Sequence, residues 1–231
     1  NFIAKILDSL RAMADNIKPS MIKEVMSYNS DLVIARLGGA NPQVDNQVFL
    51  GSKAYHLKVL RIAGFPIPPG FVLTTEVFRK HKAIFEHPEL RDEIYELIRD
   101  RLHRIEVVSK KEFGNPKNPL LLSVRSGTAI SMPGAMDTIL NVGMNDKITE
   151  TLSKKPKFAW SAWDSYRRLL QSWGMAFGMS RDDFDDIMEI HKVKFNVDHK
   201  TNFSPDNMKE IAFAYKATLY DNNIEFEEDV F

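Results

Sequence analysis

Residues 120–143 read "LLLSVRSGTAISMPGAMDTILNVG". Leu120-Leu121-Leu122-Ser123-Val124 is an apolar run of strand length, so a buried strand is expected there, with a second strand at about 138–142. The first strand delivers Arg125 into a loop of small residues: Ser126, Gly127, Thr128, Ser131, Pro133 and Gly134, with Met132 and Met136 between them. Arginine stays charged in proteins and presents five donors in a planar fork, which matches phosphate or carboxylate oxygens. Small residues let backbone N–H groups approach an anion closely. Thr128 and Ser131 add hydroxyl donors. The residues alone leave a second reading open, in which Arg125 pairs with a buried carboxylate and the glycines serve turns.

Upstream of this stretch, "LGSKAYHL" (50–57) sets Gly51 and Ser52 before Lys53 at a helix start. A lysine there follows the logic of phosphate loops, with a positive charge beside free helix N–H groups. The glycine spacing of a Walker A motif is missing. An ordinary surface lysine also fits. The helix is expected over 53–63, with Leu57, Leu60 and Ile62 as its apolar contacts and Gly64 as its stop. "PIPPG" (66–70) is a stiff connection into a strand at Phe71-Val72-Leu73. Thr74 or Thr75 caps the next helix, and a long helix spans 88–109. Before these lie a turn-rich loop at 38–47, a strand at Leu32–Ala35, and two short helices, at 2–16 and over "SMIKEVMSYN" (20–29).

Beyond Asp146 the pattern is helical. "KFAWSAWDSYRRLLQSWGMAFG" (157–178) is dense in aromatics and reads as core. Arg167 and Arg168 could hold a phosphate there, but pairing with acids is the better expectation. Ser180 and Ser204 stand as N-caps of two further helices, with Pro205 in the first turn of the last. The acids of "RDDFDDIMEI" suit the positive end of a helix dipole and lack a calcium-loop pattern. The six histidines show no metal-ligand spacing.

The bulk composition narrows the partners. At 231 residues and 44% hydrophobic, the chain can build one large domain or two small ones. Lys plus Arg equals Asp plus Glu at 31 each, so nothing suggests the broad basic face that nucleic acid or an anionic membrane needs. The lack of cysteine excludes disulfides, thiolate metal sites and cysteine nucleophiles, and it fits a reducing, cytoplasmic setting. No apolar run approaches the ~20 residues of a membrane span. The chain begins with Asn1 and ends in "FEEDVF", which reads as a piece of a longer protein.

Three stretches, taken in order, resemble the pyruvate phosphate dikinase family. They are "LGSKAYHLKVLRIAGFPIPPGFVLTTEVF", "NPLLLSVRSGTAISMPGAMDTILNVGMND" and "FAWSAWDSYRRLLQSWG". Their spacing is also family-like, and the likeness runs over about residues 48–225. The resemblance implies an α+β fold: an ATP-grasp-like N-terminal subdomain with a small mixed sheet, then a mostly helical second half. The expected division is a helical lead-in at 1–31, the α+β subdomain at 32–146 and the helical subdomain at 147–231.

The resemblance also implies a function: the front of an ATP-binding domain that, with Mg²⁺, phosphorylates a histidine on a separate domain en route to phosphoenolpyruvate. Arg125 is the catalytic candidate. Lys53 and Arg125 match phosphate-contacting positions, and Gly134 and Met136 match the loop beside the nucleotide. Ser126, next to Arg125, completes the candidate nucleotide contacts. The metal ligands, the phosphohistidine domain and the pyruvate domain are expected beyond residue 231, so this piece alone should not turn over. Ser52 departs from the family, which has a second glycine there. Two alternatives remain. One is a non-catalytic nucleotide-sensing or interaction module with the same fold. The other is a phosphoenolpyruvate synthase-like enzyme, although such relatives typically lack the Ser-Met-Pro-Gly run at 131–134. A homodimer is left open.

Overall fold

The computed structural model describes residues 29–127 and 138–230. The helix expected at 2–16 and all but the last residue of that expected at 20–29 lie outside them. The chain divides into two compact units, with the change of unit at Ser109–Lys110.

In the first unit, the Asn29 side chain accepts from Asp31 N at 2.9 Å and caps a single helical turn, α1 (Ser30–Val33). That turn occupies part of the expected strand, so β1 starts later, at Ile34–Arg36. It pairs antiparallel with β2 (Phe71–Leu73), Ala35 opposite Val72. Between them runs α2 (Gln47–Ile62). Gly64 ends it as expected: at φ 87° it takes the left-handed turn that a side chain would strain. Its N–H donates to Arg61 O, and Phe65 N–H donates to Leu60 O, so two terminal carbonyls are satisfied.

The expected apolar face of α2 is corrected. Leu60 is 42% and Ile62 71% exposed, while Leu50, Ala54, Tyr55 and Lys58 face inward. These positions recur at helical spacing and pack towards Ala35, Val44 and Val72. Lysine at one of them hid the stripe.

Thr74 caps α3 (Thr75–Arg79), its hydroxyl donating to Leu32 O and accepting from Glu76 N. Then come α4 (His81–Glu86) and the long α5 (Pro88–Ser109), which buries Leu90, Ile94, Leu102 and Ile105.

The second unit holds β3 (Leu122–Arg125) and β4 (Thr138–Val142), antiparallel to each other. The described residues thus form two two-stranded antiparallel sheets rather than one small mixed sheet. Helices α6 (Asp146–Ser153), α7 (Ala159–Ala176), α8 (Arg181–Phe195) and α9 (Pro205–Asp221) follow. The mixed α+β class and the helical second half agree with expectation. Tyr166 and Leu170 of α7 meet Met208, Ile211, Tyr215 and Leu219 of α9 in the core, all essentially inaccessible to solvent. Close packing at Gly174 lets Phe184 and Leu219 approach the α7 backbone. Ser180 and Ser204 each close a capping box, with Asp183 and Asn207 respectively.

Candidate functional site

β3 is not the buried strand its apolar sequence suggests. Leu120 is buried, but Leu122 is only half-buried and Ser123, Val124 and Arg125 are exposed. Among the described residues no third strand joins this sheet, and β4 is the strand that packs on α7. β4 carries one residue more than β3 between the pairs Leu122–Val142 and Val124–Ile139. The extra residue is a bulge. Asn141 sits there at φ 61°, and its Nδ2 donates to Ser165 O on α7 at 3.1 Å. The bulge therefore anchors the hairpin to the helix.

Arg125 is the last residue of β3, opposite Thr138. Its Nε donates to Ser123 Oγ at 3.1 Å. Among the described residues no carboxylate pairs with it. Ser126 follows, exposed, at the strand end. Thr128, Ser131, Gly134 and Met136 lie outside the described residues.

Lys53 belongs to the first unit, and Arg125 and Ser126 to the second. At Gly51 the helical run breaks, with φ 74° and ψ 157°. Only the short turn before it is capped by Asn46, whose side chain accepts from Val48 N and Phe49 N. Lys53 is therefore in the first turn of the segment after the break, as "LGSK" suggests, and its side chain is exposed. A helix start is where backbone N–H groups lack i−4 carbonyls and favour an anion.

The other arginines of interest are engaged. Arg167 Nη2 lies 2.9 Å from Asp164 Oδ1, Arg168 Nε 3.0 Å from Oδ2, and Lys200 Nζ 3.1 Å from Oδ1. Burial pushes the Asp164 carboxyl up, but the charges and hydrogen bonds of Arg167 and Lys200 outweigh it and hold it below the usual range. A second network joins Lys216 to Asp146 and Glu228, with Tyr166 O–H donating to Asp146 Oδ1 at 2.6 Å. Burial, then that carboxylate, pushes the Tyr166 phenol far up. Sequence reading missed Lys58, 3% exposed, which donates to Asp45 and to Arg36 O.

Among the described residues no group of three or more His, Asp or Glu side chains is placed to hold a metal ion. The same residues include no helix long and apolar enough to cross a membrane.

Known proteins supply the family. Pyruvate, phosphate dikinase of Clostridium symbiosum is 38% identical over 190 residues, 78% of this chain and 21% of that protein. The chain matches one segment of the pyruvate, phosphate dikinase family. The enzyme of the same name from Entamoeba histolytica is 39% identical over 171 residues, 74% of this chain and 19% of the relative. The chloroplastic pyruvate, phosphate dikinase of Mesembryanthemum crystallinum is 38% identical over 218 residues, 93% of this chain and 22% of the relative. No family model matches the chain. The chain spans about a fifth of the length of these dikinases.

Proposed function

We propose that this chain is the front portion of the ATP-binding domain of a dikinase-type phosphotransferase, with an ATP-grasp-like first subdomain. The observation that carries the reading is Arg125. It ends a strand in one of the three stretches that resemble the dikinases, and no described carboxylate pairs with it. In this reading Arg125 and Lys53 neutralise and orient the phosphates of ATP, while Ser126, Gly134 and Met136 line the loop beside the nucleotide. Phosphoryl transfer asks a protein mainly for positioning and charge stabilisation, which a guanidinium fork and an ammonium supply. The described residues offer no carboxylate cluster for Mg²⁺. Its ligands, the histidine that receives the phosphoryl group and the pyruvate domain belong in this reading to a longer chain. The piece alone does not turn over. A non-catalytic nucleotide sensor on the same fold is the second reading, favoured by Ser52 in place of a glycine.

An acyl-phosphate derivative of ATP tests the phosphate contacts. Such a reagent transfers its acyl group to a lysine lying beside the bound phosphates. The expected result is labelling of Lys53 that unmodified MgATP suppresses. Labelling of Lys53 no greater than that of other exposed lysines, and indifferent to MgATP, would overturn the assignment.

A further inference from the structure

After α9, residues 224–230 cross the second unit as a strap without regular secondary structure. Side chains of α7, α9 and the N-cap of α6 hold it by its carbonyls. Trp173 Nε1 donates to Glu225 O at 3.0 Å, Tyr220 Oη to Phe226 O at 3.0 Å and Asn145 Nδ2 to Glu228 O at 2.7 Å. Ile224 and Phe226 are buried, and the Phe226 ring meets Tyr166 and Trp173 edge-on. The N–H groups of residues 225–228 bond no backbone carbonyl among the described residues, so the strap belongs to no sheet. It touches both flanks of the β3–β4 hairpin. Just after β4, Asp146 N–H donates to Glu228 Oε2 at 3.2 Å, beside the Asn145 bond. Before β3, Val230 packs on Gly114, where a Cβ would lie 3.0 Å from its Cγ2. The flanks also meet each other, since a Cβ at Gly143 would come within 2.7 Å of the Phe113 ring.

The strap can leave without stranding a buried charge. Lys216, 11% exposed at its side chain, pairs with both Glu228 and Asp146, and it keeps Asp146 at 2.8 Å when Glu228 departs. Tyr166 keeps the same carboxylate. The large penalty for breaking a buried ion pair therefore does not arise. Glu228 and Tyr220 are each about half-exposed, so water can replace their bonds. What release gives up is chiefly the burial of Ile224 and Phe226, whereas the facing side chains of α7 and α9 have essentially no exposure. Such an element opens at a lower free energy than the core it lies on.

We propose that residues 224–230 form a releasable clamp: docked, they hold both flanks of the β3–β4 hairpin, and released, they loosen the hairpin while the α7–α9 core stays folded. The clamp concerns the order of the strand that ends in Arg125 and does not depend on nucleotide binding there. The test is amide hydrogen exchange, read residue by residue without nucleotide, in the parent and in Glu228→Ala, Phe226→Ala and Glu227→Ala. Glu228→Ala removes the contacts to Asp146 N–H and Lys216, and Phe226→Ala removes the buried ring. In both, the amides of β3, β4 and residues 145–147 should exchange about tenfold faster, the loss of one charge-assisted contact or its equivalent. Those of α7 and α9 should keep the parent's rates, which also shows that the variants are folded. Glu227→Ala, an exposed change beside the anchor, should leave the hairpin as in the parent. Unchanged hairpin exchange in Glu228→Ala and Phe226→Ala would overturn the clamp. So would equal acceleration of α7 and α9, which would make the strap part of the core, or a loosened hairpin in Glu227→Ala.

Discussion

Asp164 is the residue on which the second unit's charge balance turns. Its side chain and that of Arg167 are each 7% exposed, so Asp164→Asn would leave a buried guanidinium without its counter-charge. Loss of one partner of such a pair costs about 3–5 kcal/mol, readable as a lower urea midpoint. The pH dependence has a definite sign. A carboxyl held low in the folded state adds stability that is full above its unfolded value, near ~3.9, and lost as pH falls through the lower folded value. The parent should therefore lose stability more steeply than Asp164→Asn below about pH 4, and parallel profiles would refute the assignment. Gly174→Ala makes a steric case. Its Cβ would lie 2.6 Å from Phe184 and 2.7 Å from Leu219, so overpacking of about 1–3 kcal/mol should lower the melting temperature. The pairing of Arg167 with an acid was legible at this scale, because Asp164 stands one helical turn away. The burial of Lys58 was not, because its counter-charge Asp45 lies in a loop whose path local spacing does not encode.

Elements were most legible where a local signal sets both ends. The helix expected at 88–109 spans those residues, and Thr74, Ser180 and Ser204 cap as their side chains allow. Ser204→Ala should cost about 1 kcal/mol in thermal or chemical unfolding, since it removes the acceptor for Asn207 N–H. No change in stability would mean that the capping box contributes nothing there. Burial was less legible than element type. "LLLSV" is apolar enough for a core strand, but among the described residues its sheet is two strands wide and Ser123, Val124 and Arg125 are exposed. The start of β1 was missed because an Asn29 cap converts the residues before it into a helical turn. The bulge at Asn141 was also unseen, because nothing in "TILNVG" distinguishes an extra residue from a regular strand.

At the scale of the whole molecule, the second unit is organised by α7 and α9, whose facing side chains are the least exposed in it. Amide exchange should therefore be slowest in those two helices and faster in β3 and β4. Equal protection of the hairpin would mean that it belongs to the same cooperative core. The likeness to the dikinases was legible because it rests on runs of residues rather than on one motif. The nucleotide role rests more narrowly, on Arg125 and Lys53. Calorimetric titration of MgATP into this chain, beside Arg125→Ala, tests that claim most directly. A desolvated charge-assisted contact contributes roughly 1.5–3 kcal/mol, so the variant should bind about ten- to a hundredfold more weakly than the parent. Equal affinities for parent and variant would contradict a phosphate site built on Arg125.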